Sequence, residues 1–261
     1  MRLHGAHVLL TGATGTIGTR LADGLAARGA RVTVTARSRD ALGDLASRTG
    51  AHPVPVDLAT PGGPAELLAA AHSAHGPPDV LVHNAAVELV GRLDDLDASS
   101  LAAAIALNLR APLELTRLAL PGMRARRRGH LLWVSSLAGV ATFPGLGPYG
   151  ATKAGLTRAA AGLRLELRGS GIGSTVAELG PVDSSMMDRA RRHAPAEAAF
   201  ARARRLRVLR DLDPSVTAEA LLDAVEAGRP HVRLPRRAAP FAALAAAPGL
   251  AVRLALTGIH G

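Results

Sequence analysis

The chain holds one tyrosine, Tyr149, and one lysine, Lys153, four residues apart in the run YGATK. On a helix that spacing returns to the same face, so phenol and ammonium would stand one turn apart. A phenol beside a positive charge has its pKa drawn toward neutrality. That suits a general acid protonating the alkoxide left when hydride reduces a carbonyl. Of the 31 basic residues, Lys153 alone is not arginine. Where arginine fills every other basic position, a retained lysine marks a site that needs a compact ammonium on a flexible stem.

Elements able to position this pair follow from the hydrophobic period, which alternates short apolar runs with longer helical patterns and shows no internal repeat. Strands are expected at His7 to Thr11, Arg31 to Ala36, His52 to Val56, Val80 to His83, His130 to Ser135, Gly173 to Glu178 and His231 to Leu234. Helices are expected around Thr16 to Arg28, Arg39 to Thr49, Pro64 to His75, Leu101 to Arg126, Tyr149 to Arg168 and Pro214 to Glu226. In the last of these Asp213 can cap, Pro214 opens the first turn and Gly228 follows the end. Seven strands alternating with helices predict an α/β fold, a Rossmann-like, doubly wound and mostly parallel sheet covered on both faces.

The first strand runs into TGATGTIG, Thr11 to Gly18, which opens a helix. Glycines there let the backbone turn tightly and approach a pyrophosphate seated on the helix amides, the mark of a dinucleotide site. The second strand ends at Ala36, followed by Arg37 and Arg39 instead of an acid. An acid would bond a free ribose 2′-hydroxyl and repel a 2′-phosphate, so NADP(H) is favoured over NAD(H), the alternative being that Arg37 only caps a solvent-facing turn. Asp57, after the third strand, could accept from an adenine amino group or serve as a turn residue. Lys153 could also bond the nicotinamide ribose hydroxyls.

With these residues in their order, the chain resembles the short-chain dehydrogenase/reductase family from the first strand to about residue 235. TGATGTIG is similar to the family's nucleotide turn, VDL around Asp57 and Leu58 to its adenine contact, and HNAA, His83 to Ala86, to its NNAG. The resemblance implies that Asn108 in ALNLR holds a water linking Lys153 to solvent and that Ser136 in VSSLAG orients the carbonyl oxygen. It likewise implies that Tyr149 and Lys153 form the catalytic pair and that Ser184 in GPVDSS contacts the nicotinamide carboxamide. Ser135 is the alternative serine, and Ser136 is preferred because the family's serine-to-tyrosine separation matches it. The implied cofactor residues are Thr11, Gly12, Thr14, Gly15, Thr16, Ile17, Gly18, Arg37, Asp57, Leu58, Asn84, Ala85, Ala86, Tyr149, Lys153, Gly180, Val182 and Ser184. The chain differs from the family pattern in the position of Gly15, in His83 and Ala86, and in Leu179-Gly180 where Pro-Gly is usual. A homodimer or homotetramer is the implied assembly.

Composition bounds the rest. The 261 residues are 48% apolar, enough for one large core, and zero cysteines exclude disulfides and thiolate chemistry. A net charge of +10 invites a nucleic-acid reading, but one Trp, one Tyr and three Phe leave almost nothing on which bases could stack. No metal site is expected, since His72 and His75 form a close pair without a carboxylate positioned to join them. The apolar run at the amino end is too short for a secretory signal or a spanning helix, so a cytoplasmic location is expected. Pocket walls are expected from Val87 to Leu93, Leu137 to Leu146 and a substrate loop at about 184–212, with Ser136, Phe143, Tyr149, Met186 and Met187 facing the substrate. These apolar walls suggest a lipophilic ketone or aldehyde. Residues 236–261 form an apolar and basic tail, broken by Pro240, Pro248 and Arg253, that suits a membrane surface or a subunit contact rather than a span. The function class alternative to an enzyme is a nucleotide-binding scaffold or sensor without turnover.

Overall fold

In a computed structural model, which describes residues 1–240, seven strands form one sheet in the order β3-β2-β1-β4-β5-β6-β7. They are β1 (His7–Thr11), β2 (Arg31–Ala36), β3 (His52–Pro55), β4 (Val80–His83), β5 (Gly129–Ser136), β6 (Ile172–Leu179) and β7 (His231–Leu234). Every pairing in the sheet is parallel, as expected of strands that read as continuous apolar runs. The order reverses between β1 and β4, so a crevice opens at the carboxyl ends of those strands.

Helices cover both faces. On one side α1 (Thr16–Ala27), α2 (Arg39–Thr49) and α9 (Pro214–Glu226) bury Leu21, Leu25, Leu42, Leu221 and Leu222 against Val8, Leu10, Val32 and Val134. Arg28 ties α1 to α9 through Glu219 and Asp223 at 2.8 and 2.7 Å. On the other side α3 (Gly63–His75), α5 (Ala111–Arg126) and α6 (Gly147–Glu166) pack Leu67, Leu115, Met123 and Leu156 onto Leu9, Leu81, Leu131 and Trp133. Local signals set the ends: Ser38 caps α2, Asp213 caps α9 by accepting from Val216 N–H, and Gly50 closes α2 at φ +70°.

Two departures from the expected elements bear on the site. The helix expected from Leu101 to Arg126 starts earlier, as α4 (Ala98–Ile105) capped by Asp97, and joins α5 through a π-helical turn at Ala106–Arg110. The segment expected as a substrate loop folds instead into α7 (Ser185–Arg191) and α8 (Ala194–Arg205). α7 has only seven residues and α8 is mostly alanine and arginine, with Met186, Met187 and Phe200 as their large apolar side chains, so few such residues mark either helix in the sequence. They enclose a third apolar cluster of Leu137, Leu146, Met187, Ala190, Phe200 and Leu209, separate from the two sheet faces. Among the described residues no helix is long and apolar enough to cross a membrane. Of the tail, 241–261 lie outside the described residues.

Candidate active site

The crevice at the strand reversal is a cleft of about 520 Å³. One end is the glycine turn. Gly12 has φ +66°, and a Cβ there would meet Ala85 Cα at 2.6 Å, so this glycine serves both the conformation and the close approach of the β4 loop. At Gly18 a Cβ would stand 2.1 Å from the Gly12 carbonyl oxygen, which leaves no room for a side chain. Gly15 is different: its nearest neighbour to such an atom is 3.4 Å away. No side chain caps α1 and no acidic residue stands in its first turn, so its amides face the cleft free to receive an anion.

Thr11 does not line this cleft. Its hydroxyl accepts from the N–H groups of Asn84 and Ala85 at 3.0 and 3.1 Å and donates to Val82, fixing the β4 loop from behind. The Asn84 amide donates to the carbonyls of Thr11 and Gly12, locking loop to turn. His83, where the family pattern has Asn, turns into the core against Trp133 and bonds Thr116 at 2.8 Å. Burial holds its pKa down to about 3, so it is a neutral packing residue. Thr14, Thr16, Ile17, Arg37, Asp57, Leu58, Ala85 and Ala86 all line the cleft, with Arg37 exposed at the end of β2. Asp57 accepts from Ala59 N–H at 2.9 Å, a turn bond.

At the other end α6 brings Tyr149 and Lys153 to the cleft in its first two turns, with Pro148 at its start. The Lys153 ammonium lies 5.8 Å from the Tyr149 ring centre and donates to the Val134 carbonyl at 2.9 Å. The expected depression of the phenol is not what this arrangement gives. Burial pushes Tyr149 up to about 12, with Ser136 pulling down and Glu88 pushing further up, while burial brings Lys153 down to about 8. Removal of the phenol from water is the largest influence on Tyr149, and the Lys153 ammonium spends a donor on Val134 instead.

The two serines separate by geometry. Ser135 is buried, donates to the Lys153 carbonyl at 3.1 Å and shares a 2.7 Å bond with Thr157, so it braces α6 against β5. Ser136 is half-buried beside Tyr149 and accepts from Ala138 N–H at 3.1 Å. Asn108 lies outside the cleft, in the π-helical turn, with its side chain fully engaged. It accepts from Val87 N–H and donates to Val87 C=O, both at 2.8 Å, and donates to Thr152 at 3.2 Å. The Asn108 side chain is therefore a buried hydrogen-bonding brace between the loop after β4 and α6.

Gly180, Val182 and Ser184 line the cleft where β6 ends. The Ser184 hydroxyl donates to Val182 C=O and caps α7 by accepting from Met187 N–H at 3.2 Å. It thus couples the sheet end to the lid-like α7. Phe143, Leu146, Met186, Met187, Phe200 and Leu209 form the apolar wall, Phe143 and Phe200 having ring centres 5.3 Å apart. Val90 and Val140 pack behind that wall.

Two residues of this end were not singled out from sequence, Glu88 and Arg189. The Glu88 side chain is 6% exposed and lines the cleft, with the Arg189 guanidinium of α7 at 3.6 Å. Burial pushes its carboxyl up to about 7 against the pull of Arg189 and Arg192. A lone acid in the apolar run AAVELV is the signal that could have found it.

Known proteins agree with this geometry. The family model described as short chain dehydrogenase matches residues 6–195. The ketoacyl reductase HetN of a Nostoc species is 33% identical over 190 residues, covering 71% of this chain and 66% of its own. An uncharacterized short-chain type dehydrogenase/reductase, y4eK, of Sinorhizobium fredii is 36% identical over 179 residues, 68% of this chain and 70% of its own. The chain thus spans about two thirds of the length of these two curated relatives. A short-chain dehydrogenase structure from Streptomyces avermitilis superposes with a TM-score of 0.79 at 26% identity, covering 97% of this chain and 95% of that one. Sheet order, glycine turn and the Tyr149-Lys153 pair coincide with a family match over most of the chain, and the protein belongs to the short-chain dehydrogenase family, oxidoreductases acting on alcohol and ketone groups.

Proposed function

We propose that the chain is an NADP(H)-dependent oxidoreductase that reduces the carbonyl of a mainly apolar small molecule, or oxidises the corresponding alcohol. The observation that carries this reading is the convergence of Ser136, Tyr149 and Lys153 at one end of a cleft whose other end is an uncapped helix amino terminus beside an exposed arginine. The residues present fit a dinucleotide. The free amides of α1 suit a pyrophosphate, Gly15 leaves the floor open, and Lys153 stands where two ribose hydroxyls could meet its remaining donors. When bound, the nicotinamide supplies or accepts the hydride.

The chain's own part is proton handling and orientation. At neutral pH the Tyr149 phenol keeps its proton, which makes it the donor to the carbonyl oxygen as negative charge develops there. Ser136 presents a hydroxyl to the same oxygen, and the apolar wall keeps competing water out. The phenolate left behind is stabilised by the Lys153 charge and regains its proton through that neighbour.

A panel of aldehydes, ketones and secondary alcohols, followed by nicotinamide absorbance with each cofactor, tests the activity. Cofactor binding without turnover across the panel would favour a nucleotide-binding scaffold instead. For the cofactor, Arg37→Asp removes a 2′-phosphate partner and adds a repelling charge, so it should reverse a preference for NADPH by about tenfold or more. Equal affinity of the parent for NADPH and NADH, measured by titration, would remove Arg37 from the argument.

A further inference from the structure

Glu88 is held more firmly than its place in a loop suggests. The preceding residue, Val87, has both its N–H and its C=O bonded by the Asn108 side chain, so the backbone entering Glu88 is pinned to the π-helical turn. From there the carboxyl enters the cleft shared by Tyr149, Ser136 and Phe143. Its Oε2 atom is buried and has no hydrogen-bond partner, the Arg189 Nε standing at 3.6 Å, beyond bonding distance. A buried carboxylate oxygen left unpaired is costly, and folds keep such an atom mainly where something else completes it. Apart from Ser184, Ser185 and Arg189, the side chains that join it around α7 and α8 are apolar, among them Phe143, Leu146, Met186, Met187 and Phe200.

We propose that Glu88 is a specificity-determining residue that accepts a hydrogen bond from a substrate hydroxyl, so that the favoured substrate class is a hydroxylated ketone with an otherwise apolar body. The inference rests on the carbonyl-reduction reading and deepens it. Above about pH 7, where the carboxyl is ionised, it can only accept, which excludes plain ketones and esters as its partner there. A cationic amine would bring a third positive charge to a carboxyl already faced by Arg189 and Arg192. A neutral hydroxyl meets the demand without that repulsion. The hydroxyl lies in the cavity of the reacting carbonyl, because Glu88, Ser136 and Tyr149 line one cleft. Discrimination by a buried polar group is strong because the analogue lacking the hydroxyl leaves the carboxyl unpaired.

Equilibrium binding to the protein–NADP⁺ complex tests this, with titration calorimetry on two matched pairs: 2-hydroxyacetophenone against acetophenone, and 3-hydroxy-1-phenylpropan-1-one against propiophenone. In the parent at least one hydroxyketone should bind about tenfold tighter than its partner. Glu88→Leu should bring that ratio to about one, and the near-isosteric Glu88→Gln, which keeps an acceptor, should give an intermediate value. A ratio near one for both pairs in the parent, or a parental ratio surviving in folded, cofactor-binding Glu88→Leu, overturns the proposal. Tighter binding of 2-aminoacetophenone than of either hydroxyketone overturns the choice of a hydroxyl. Discrimination without turnover would count against carbonyl reduction and support the Glu88 contact. Turnover of all four ketones without discrimination would do the reverse.

Discussion

The two ends of the cleft are built on different principles. The cofactor end is backbone: Gly12 and Gly18 are fixed by contacts closer than any side chain allows, and Asn84 and Thr11 bond main-chain groups. The substrate end is side chain: α7 and α8 close over a separate apolar cluster, and the buried Glu88 carboxyl that lines the cleft lacks a hydrogen-bond partner at Oε2. Backbone constraints leave a fixed pattern of small residues at set spacing, while a packed lid tolerates many combinations of Leu, Met and Phe. One end therefore announces its ligand class and the other hides its substrate.

The largest expected effect falls where the two ends meet. Tyr149→Phe should cut turnover by about 10²–10⁴-fold, the range for a positioned acid, with cofactor binding and thermal unfolding near the parent's. Lys153→Arg should lose most turnover although charge is kept, since a planar guanidinium cannot reproduce the ammonium's bond to Val134 in a site 3% exposed. The double variant should be little worse than the worse single one. Near-normal steady-state turnover in folded Tyr149→Phe would remove that phenol as the acid.

The cofactor end can be split by its own glycines. Gly18→Ala should cost about 3 kcal/mol of stability because the new Cβ would sit 2.1 Å from a backbone oxygen that cannot yield cheaply. Gly15→Ala should leave unfolding within about 0.5 kcal/mol, yet weaken cofactor binding, because its Cβ clears the protein and narrows the cleft. Denaturant melts and cofactor titrations on both variants test this. Equal destabilisation would mean that the turn is not held where the steric contacts put it.

At the substrate end the buried acid makes stability depend on pH. The Glu88 carboxyl is pushed up to about 7 from an unfolded value near 4.5, so its ionised form is disfavoured in the fold. The parent should lose about 2 kcal/mol relative to Glu88→Gln as pH rises from 5 to 8, most of it below pH 7. Melts at both pH values check it, and parallel curves for the two proteins would show that Arg189 already neutralises the cost.

How much of this was legible follows the same division. Strands and the helices against the sheet were readable because short apolar runs alternate with longer helical stretches and some ends carry a cap, as at Ser38 and Asp213. Tyr149 and Lys153 stood out by type and spacing and Ser136 through the family resemblance, and all three line the cleft. Thr11 and Asn108 act from behind it, which a linear pattern cannot distinguish from lining it. The helices α7 and α8 were missed because seven and twelve residues rich in alanine and arginine offer few large apolar side chains, Met186, Met187 and Phe200. Glu88 carries a local signal, a lone acid in AAVELV, but its meaning depends on Arg189, about a hundred residues away in sequence. Lys153 pointed to a lowered Tyr149 pKa only while desolvation was left out.

The smallest effect is expected from the lid itself. Phe200 is buried in the cluster under α7 and α8, its ring against Phe143, and belongs to neither sheet-face core. Truncating a core phenylalanine usually lowers global stability by about 3–5 kcal/mol, but a satellite cluster can open locally while the sheet stays folded. Phe200→Ala should therefore raise KM for an apolar ketone by about tenfold with kcat changed less than about threefold, since Tyr149, Ser136 and Lys153 stand on β5 and α6 rather than on the lid. Hydrogen exchange should show lost protection across 185–205 and parental protection in β4, β5 and β6. A uniform loss across the sheet, with KM unmoved, would make the third cluster an extension of the main core and erase the distinction between the two ends.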